Sequence, residues 1–285
     1  GSETLVSFAA GASEGEMRLE VTWPRGGVTL ISVAANRLYE VRESGAQRVP
    51  DVTGSPFVEA IFEDVSSSLD HRHREQPFAD LARQPLLPYE LSRLGPGVTW
   101  ADVDRDGDPD LIIAAAQGGR TSVLLNDGGR FTSVPGTTSL HDQTTILPSW
   151  RAGVVSLLVG RTSFDAESAA EARGLAGVTR LAWRGGSESE TVAEPLLSSV
   201  GPLAQADVDG DGDLDLFVGG RTVPAFYPLP ATSRLLINEE GVYRDTEQTG
   251  FEDLGLVSGA VFTDIDNDGD PDLVLGRRFY RNDRT

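Results

Sequence analysis

The sequence predicts an all-β fold: a β-propeller of four-stranded blades, four repeats in all, with a small β-rich appendage at its N-terminus. Three observations predict it. An acidic decapeptide occurs three times, as DVDRDGDPDL at 102–111, DVDGDGDLDL at 207–216 and DIDNDGDPDL at 264–273. Each copy lies between two short apolar runs next to glycine, the pattern of buried strands joined as a hairpin. Beyond each copy the repetition continues through a glycine–arginine element into a third strand that ends at a turn.

The elements follow in order. The stretch LEVTWPRGGVTLISVAANRLYEVRE at 19–43 is β-rich, and SGAQRVPDVTGSP at 44–56 has the turn-former content of a linker, so 1–50 is expected as a separate segment and 51–285 as the repeat region. The first repeat reads GVTWA, loop, LIIAAA, GGRT at 118–121, SVLLNDGG and RFTSV. Asp102 and Asp207 are nearly twice as far apart as Asp207 and Asp264, which requires a degenerate copy between them. WRAGVVSLLVGRTS at 150–163 and VTRLAWRGG at 178–186 supply it, keeping the strand and glycine–arginine pattern without the aspartates. The helix-like SFDAESAAEARG at 163–174, with Ser163 or Asp165 as cap and Gly174 past its end, reads as a loop insertion. The third repeat has GPLAQA, LFVGG, GGRT at 219–222, SRLLINEEG and VYRDT. The last has SGAVFT, LVLGR, GRR at 276–278 and RFYRND, with no fourth strand. Because AIFEDVSS at 60–67 resembles the absent strand, 59–66 is expected to pair with 278–282 and close the ring.

Composition sets outer limits. A formal charge of −20 opposes non-specific binding to nucleic acid or to an anionic membrane. No apolar run approaches the length of a membrane-spanning helix, the opening GSETLV lacks the regions of a signal peptide, and direct membrane insertion is not expected. With no cysteine, neither disulfides nor thiolate metal sites are available. All 24 basic residues are arginine, a skew to which no function is attached.

Fifteen of the 44 acidic residues fall in the three decapeptides, and carboxylates packed that closely repel one another unless neutralised. Each copy offers side-chain oxygens at positions 1, 3, 5 and 9, a carbonyl at 7, and glycine at 6 for a sharp turn. A dense, oxygen-only donor set suits Ca²⁺ better than Mg²⁺, which demands strict octahedral geometry. Three Ca²⁺ sites are therefore expected. The first has Asp102, Asp104, Asp106 and Asp110 by side chain and Asp108 by carbonyl. The equivalents are Asp207, Asp209, Asp211, Asp213 and Asp215, then Asp264, Asp266, Asp268, Asp270 and Asp272. An EF-hand is excluded, since its position-12 glutamate is replaced by Ile113, Val218 and Leu275.

The D-x-D-x-D-G-D-x-D-L signature and the strands around it resemble the FG-GAP and VCBS-type repeats of integrin-like calcium-binding propellers, over roughly 57–285. The segment at 19–43 is similar to the end of an ASPIC/UnbV domain. The resemblance implies structural calcium, an extracytoplasmic location (secreted, periplasmic or cell-surface), and no reaction. Loops of extracellular modules typically bind calcium at ~10⁻⁴–10⁻³ M, which only a calcium-rich medium fills.

Other candidate ligand-binding residues are few. Arg120, Arg161, Arg221 and Arg277 follow the second strands and are expected on the edge opposite the calcium loops, as a partial ring or as forks onto neighbouring strands. His71 and His73 stand in DHRHRE at 70–75, with Asp70 and Glu75; the third histidine is His141. Two readings of function result. One is a scaffold, not an enzyme, that binds another protein, a subunit of a larger assembly or a glycan. The alternative is a polysaccharide lyase or hydrolase with a pocket on the propeller face. Arginine, histidine and carboxylates converging on one pocket favour the second; inert faces and a stable partner favour the first.

Overall fold

The computed structural model describes all residues except 1–15, 24–26, 49–61, 94–95, 152, 165, 167–170, 172–173, 176, 185–188, 247–249, 253, 277 and 284–285. The chain forms two compact units, 1–63 and 64–285. In the first, β1 (Met17–Thr22), β2 (Gly27–Val33) and β3 (Gln47–Arg48) make an antiparallel sheet in the order β1-β2-β3. Along β1 half-buried and exposed residues alternate, the period-2 signature of a strand with one covered face.

The second unit is all-β apart from short helical turns and consists of four antiparallel sheets, none closed on itself. The first contains β4 (Val98–Ala101), β5 (Asp110–Ile113), β6 (Arg120–Asp127) and β7 (Arg130–Thr138) in chain order. The second runs β8 (Gln143–Arg151), β9 (Val154–Arg161), β10 (Val178–Ala182) and β11 (Ser189–Ala193). The third runs β12 (Ser199–Ala206), β13 (Asp215–Thr222), β14 (Arg234–Glu239) and β15 (Val242–Asp245). The last has β16 (Val261–Thr263), β17 (Asp272–Leu275) and β18 (Arg278–Tyr280).

Alternation along the second strands explains how the sheets pack. On β5, Ile112 faces the second sheet and meets Val155, Leu157 and Val159, while Leu111 and Ile113 face the other way with Leu124. Leu158, one residue out of phase with its neighbours, turns instead to Leu216 and Val218 of β13. Phe217 of β13 points onward to Leu273, Leu275 and Phe251, with its ring edge-to-face to Phe251 at 5.6 Å. The inner sheets thus bury both faces, and the apolar second strands read as continuous rather than alternating runs.

The first strands β4, β8, β12 and β16 are successive neighbours. Gly97, just before β4, approaches β8 so closely that a Cβ there would lie 2.5 Å from the Thr145 backbone. The starts of the first strands therefore share one edge, and the loops at their ends share the other. Contacts between loops agree: Asn282 Nδ2 donates to the Val208 carbonyl at 2.9 Å, and the Arg105 guanidinium lies over Gly153 in the β8–β9 turn.

The expected closure is not found among the described residues. Residues 62–65 carry no strand, Phe62 is exposed, β18 pairs only with β17, and 59–61 lie outside the described residues. Of the expected helix at 163–174, residues 171 and 174 are helical among the described residues, as is 175 beyond it. The linker expected at 44–56 is described only to residue 48.

Candidate metal centres and the opposite edge

The acidic loops join β4 to β5, β12 to β13 and β16 to β17, and their backbones follow one plan. Position 1 organises the turn: Asp102 accepts the N–H groups of Arg105, Asp106 and Gly107 at 2.7, 3.2 and 3.1 Å. Asp207 accepts from Gly210 and Gly212, and Asp264 from Asp268 and Gly269. Gly107, Gly212 and Gly269 have φ of 102°, 95° and 97°, so position 6 requires glycine for its backbone, as expected. Position 4 is left-handed too, with φ of 67° at Arg105, 79° at Gly210 and 62° at Asn267.

Position 9 is buried in every copy and is held from two sides. Asp110 accepts the N–H of Val103 at 2.8 Å and of Asn126 at 2.9 Å. Asp215 takes Val208 and Asn238, and Asp272 takes Ile265 and Asn282. At position 7 the Asp108 carboxylate turns to the Gly128 N–H and that of Asp213 to the Glu240 N–H, so neither side chain points into its loop. Position 5 accepts from position 7: Asp106 from Asp108, Asp211 from Asp213 and Asp268 from Asp270.

One carboxylate oxygen from each of positions 1, 3 and 9 converges to within 4.8 Å: Asp102, Asp104 and Asp110; Asp207, Asp209 and Asp215; Asp264, Asp266 and Asp272. Position 5 joins no such trio in the first two loops, whereas Asp268 groups with Asp266 and Asp283. The Asp104 Oδ1 atom is buried with no hydrogen-bond partner. Burial, then the charges of Asp106, Asp110 and Asp102, push the Asp104 pKa up, and burial followed by Asp268 and Asp272 does the same for Asp266. Burial also raises Asp215, whereas the N–H donors of Asn282 and Ile265, then Arg281, lower Asp272 in the outermost sheet. The donor set fits a hard divalent cation: every converging atom is a carboxylate oxygen, and the repulsion that raises Asp104 is what such an ion relieves.

The third loop differs in one respect. Arg281 lies 3.6 Å from Asp266 and 2.7 Å from Asp283, where the first two repeats place Leu125 and Ile237 ahead of the equivalent asparagine. Those asparagines were not singled out from the sequence, although the N of LLND, LINE and YRND recurs in all three copies. Their side chains clasp the loop as well: Asn126 donates to the Pro109 carbonyl and Asn238 to that of Leu214.

At the opposite edge, residues 71–93 lie across the sheet ends. The helical turn Asp80–Arg83 begins with a buried Asp80 that accepts from the N–H groups of Leu91 and Ser92 and from the Ser92 hydroxyl. Arg83 donates to the Phe164 carbonyl at 2.6 Å, and Gln84 Oε1 accepts the Tyr227 N–H at 3.2 Å. Leu87, Leu91 and Phe164 pack with Phe78 and Tyr227 beneath this segment. His73 stands 3.8 Å from Glu75. His71 Nε2 is buried without a partner, and burial, then His73, lowers its pKa. Neither histidine joins a group of metal-ligating side chains among the described residues.

Of the arginines expected on this edge, Arg161 ends β9, Arg221 stands one residue before the end of β13, and Arg120 begins β6. Arg221 lies six residues after Asp215, but Arg120 lies ten after Asp110 and opens the third strand instead of following the second, because the chain turns at Gly118 and β6 begins at Arg120. Arg120 is exposed, Arg161 and Arg221 are half-buried, and burial lowers the pKa of the latter two. Arg277 lies outside the described residues. The forks onto neighbouring strands are not found, since none of the three described guanidiniums bonds a carbonyl or carboxylate among the described residues.

These features define a repeat protein with acidic, metal-type loops on one edge of a row of four sheets. Residues 207–275 match the FG-GAP-like repeat, a span that covers the second and third loops and strands β13 to β17. Such repeats are β-rich modules typical of interaction rather than catalysis. No curated protein matches the chain. No helix among the described residues is long and apolar enough to cross a membrane.

Proposed function

We propose that the chain is a calcium-loaded β-propeller module of the FG-GAP/VCBS type that works outside the cytoplasm, presenting a face to another protein or to a glycan. The observation that carries the reading is the threefold convergence of positions 1, 3 and 9, with Asp104 Oδ1 left without a partner. In the proposed role, Asp102, Asp104 and Asp110 and their equivalents hold the ion, and position 7 adds its carbonyl. The ion supplies neutralising charge. The chain's own bonds then transmit the fixed loop to the sheet, because the position-9 aspartate, at the start of the second strand, ties the loop to the end of the third.

The propeller form is supported by four consecutive antiparallel sheets whose first strands are neighbours and whose loops share one edge. The extracytoplasmic location is supported by the FG-GAP-like match and by the calcium concentrations such loops need. The segment before residue 51 is proposed as the ASPIC/UnbV-like part. The test is metal analysis of dialysed protein together with thermal melting. Three bound Ca²⁺ per chain and a fall in Tm on chelation are expected; no bound calcium, or melting indifferent to chelation, overturns the reading.

A further inference from the structure

The acidic loops account for one edge of the second unit, but the opposite edge carries a cleft of a different character. Its larger part, about 290 Å³, has a lining that includes Glu75, Phe78, Arg83, Gln117, Asp142 and Glu171. A smaller recess shares Glu75, Ser92 and Asp142 with it, and Arg221 and Thr222 line that recess. The cleft is built from distant parts of the chain: the 71–93 segment, the β5–β6 and β7–β8 connections, and the end of β13.

Two features indicate what the cleft takes. Its lining mixes donors with acceptors, amide and guanidinium beside carboxylates, as a polyhydroxylated ligand needs, because each hydroxyl both gives and takes a hydrogen bond. At one end, the half-buried Arg221 guanidinium has no carboxylate partner among the described residues, and the Thr222 hydroxyl beside it is buried and likewise has no hydrogen-bond partner among them. A desolvated cation without a counter-ion is costly, and a planar guanidinium is suited to a carboxylate in a two-pronged contact. The volume matches a sugar ring rather than a long peptide.

We propose that this cleft binds an acidic saccharide, a uronic acid unit whose carboxylate is held by Arg221 and whose ring hydroxyls are held by Glu75, Asp142 and Gln117. The proposal deepens the reading of the chain as a binding module by naming the ligand class, and it rests on that reading.

The test is calorimetric titration of the full, calcium-saturated chain with a galacturonic acid trimer, maltotriose and sodium acetate at one ionic strength. The trimer is expected to bind at least tenfold more tightly than either control. Arg221→Gln and, on the other side of the cleft, Gln117→Ala are each expected to weaken it severalfold or more while Tm stays at the parent value. Equal binding of maltotriose, equal binding of acetate, no binding of the trimer, or full retention of binding by both variants overturns the proposal. The calcium-dependent Tm shift is read on the same samples, so a trimer that fails while that shift persists removes the saccharide inference alone.

Discussion

The Asp110 carboxylate and the Asn126 backbone are joined by a hydrogen bond of 2.9 Å that spans the sheet from the acidic loop to the end of the third strand. The same bond recurs between Asp215 and Asn238 and between Asp272 and Asn282. A metal-loop residue is therefore also an internal tie. Asp215→Ala is expected to destabilise the protein by about 2–5 kcal/mol even without calcium, because it leaves two buried N–H groups unpaired. Asp209→Asn, at an exposed position, is expected to remove only the calcium-dependent part. Urea unfolding of both variants with and without calcium separates the two effects.

If the loops hold calcium as proposed, Arg281 is expected to make the third the weakest site. A cation 3.6 Å from Asp266 competes with the ion for that carboxylate. Arg281→Leu, which restores the apolar residue of the other repeats, is expected to tighten one of three calcium-binding steps severalfold in calorimetry. An unchanged set of affinities contradicts the argument.

Asp104, Asp215 and Asp266 have raised pKa values, with burial as the first cause. Their folded pKa lies above the unfolded one, so the stability they contribute is fully present below the unfolded carboxylate value and is lost as pH rises through the folded value. As pH rises and these carboxylates ionise, burial and mutual repulsion oppose the fold, a cost that a bound cation would relieve. The Tm gained on adding calcium to metal-stripped protein is thus expected to be large at pH 7 and to shrink steadily towards pH 4, which a melting series across that range measures.

Phe217→Ala is expected to cost about 3–5 kcal/mol, since its fully buried ring fills the space between third and fourth sheets against Phe251. Phe279→Ala, on the outward face of β18 and 63% exposed, is expected to change stability by no more than about 0.5 kcal/mol. Chemical denaturation of the pair reads the contrast directly.

Local chemistry made much of this legible beforehand. The loops announce themselves because alternate aspartates with glycine at position 6 have few physical uses, and the second strands that follow them are apolar because they are covered on both faces. What was missed depends on long-range contacts. Nothing local marks 71–93 as lying across the sheet ends, since the bond that places it joins Gln84 to Tyr227, which are 143 positions apart. β8 was not delineated as a first strand because a turn at Gly153 stands where the other repeats carry the acidic loop, and β11 carries no motif. Arg120 misled because GGRT occurs both as a turn and as a strand end, and only register distinguishes them.

The interlocking second strands make cooperativity a matter of nearest neighbours. Among the described residues the second and third sheets each pack against two others and the first and last against one, and the last sheet has three strands. Coupling of this kind passes from sheet to sheet like a one-dimensional chain of spins, so opening begins at the ends and moves inward. Amide exchange should therefore be graded along the row, fastest at β16–β18 and slowest at β9 and β13, with bound calcium slowing the end where fraying starts.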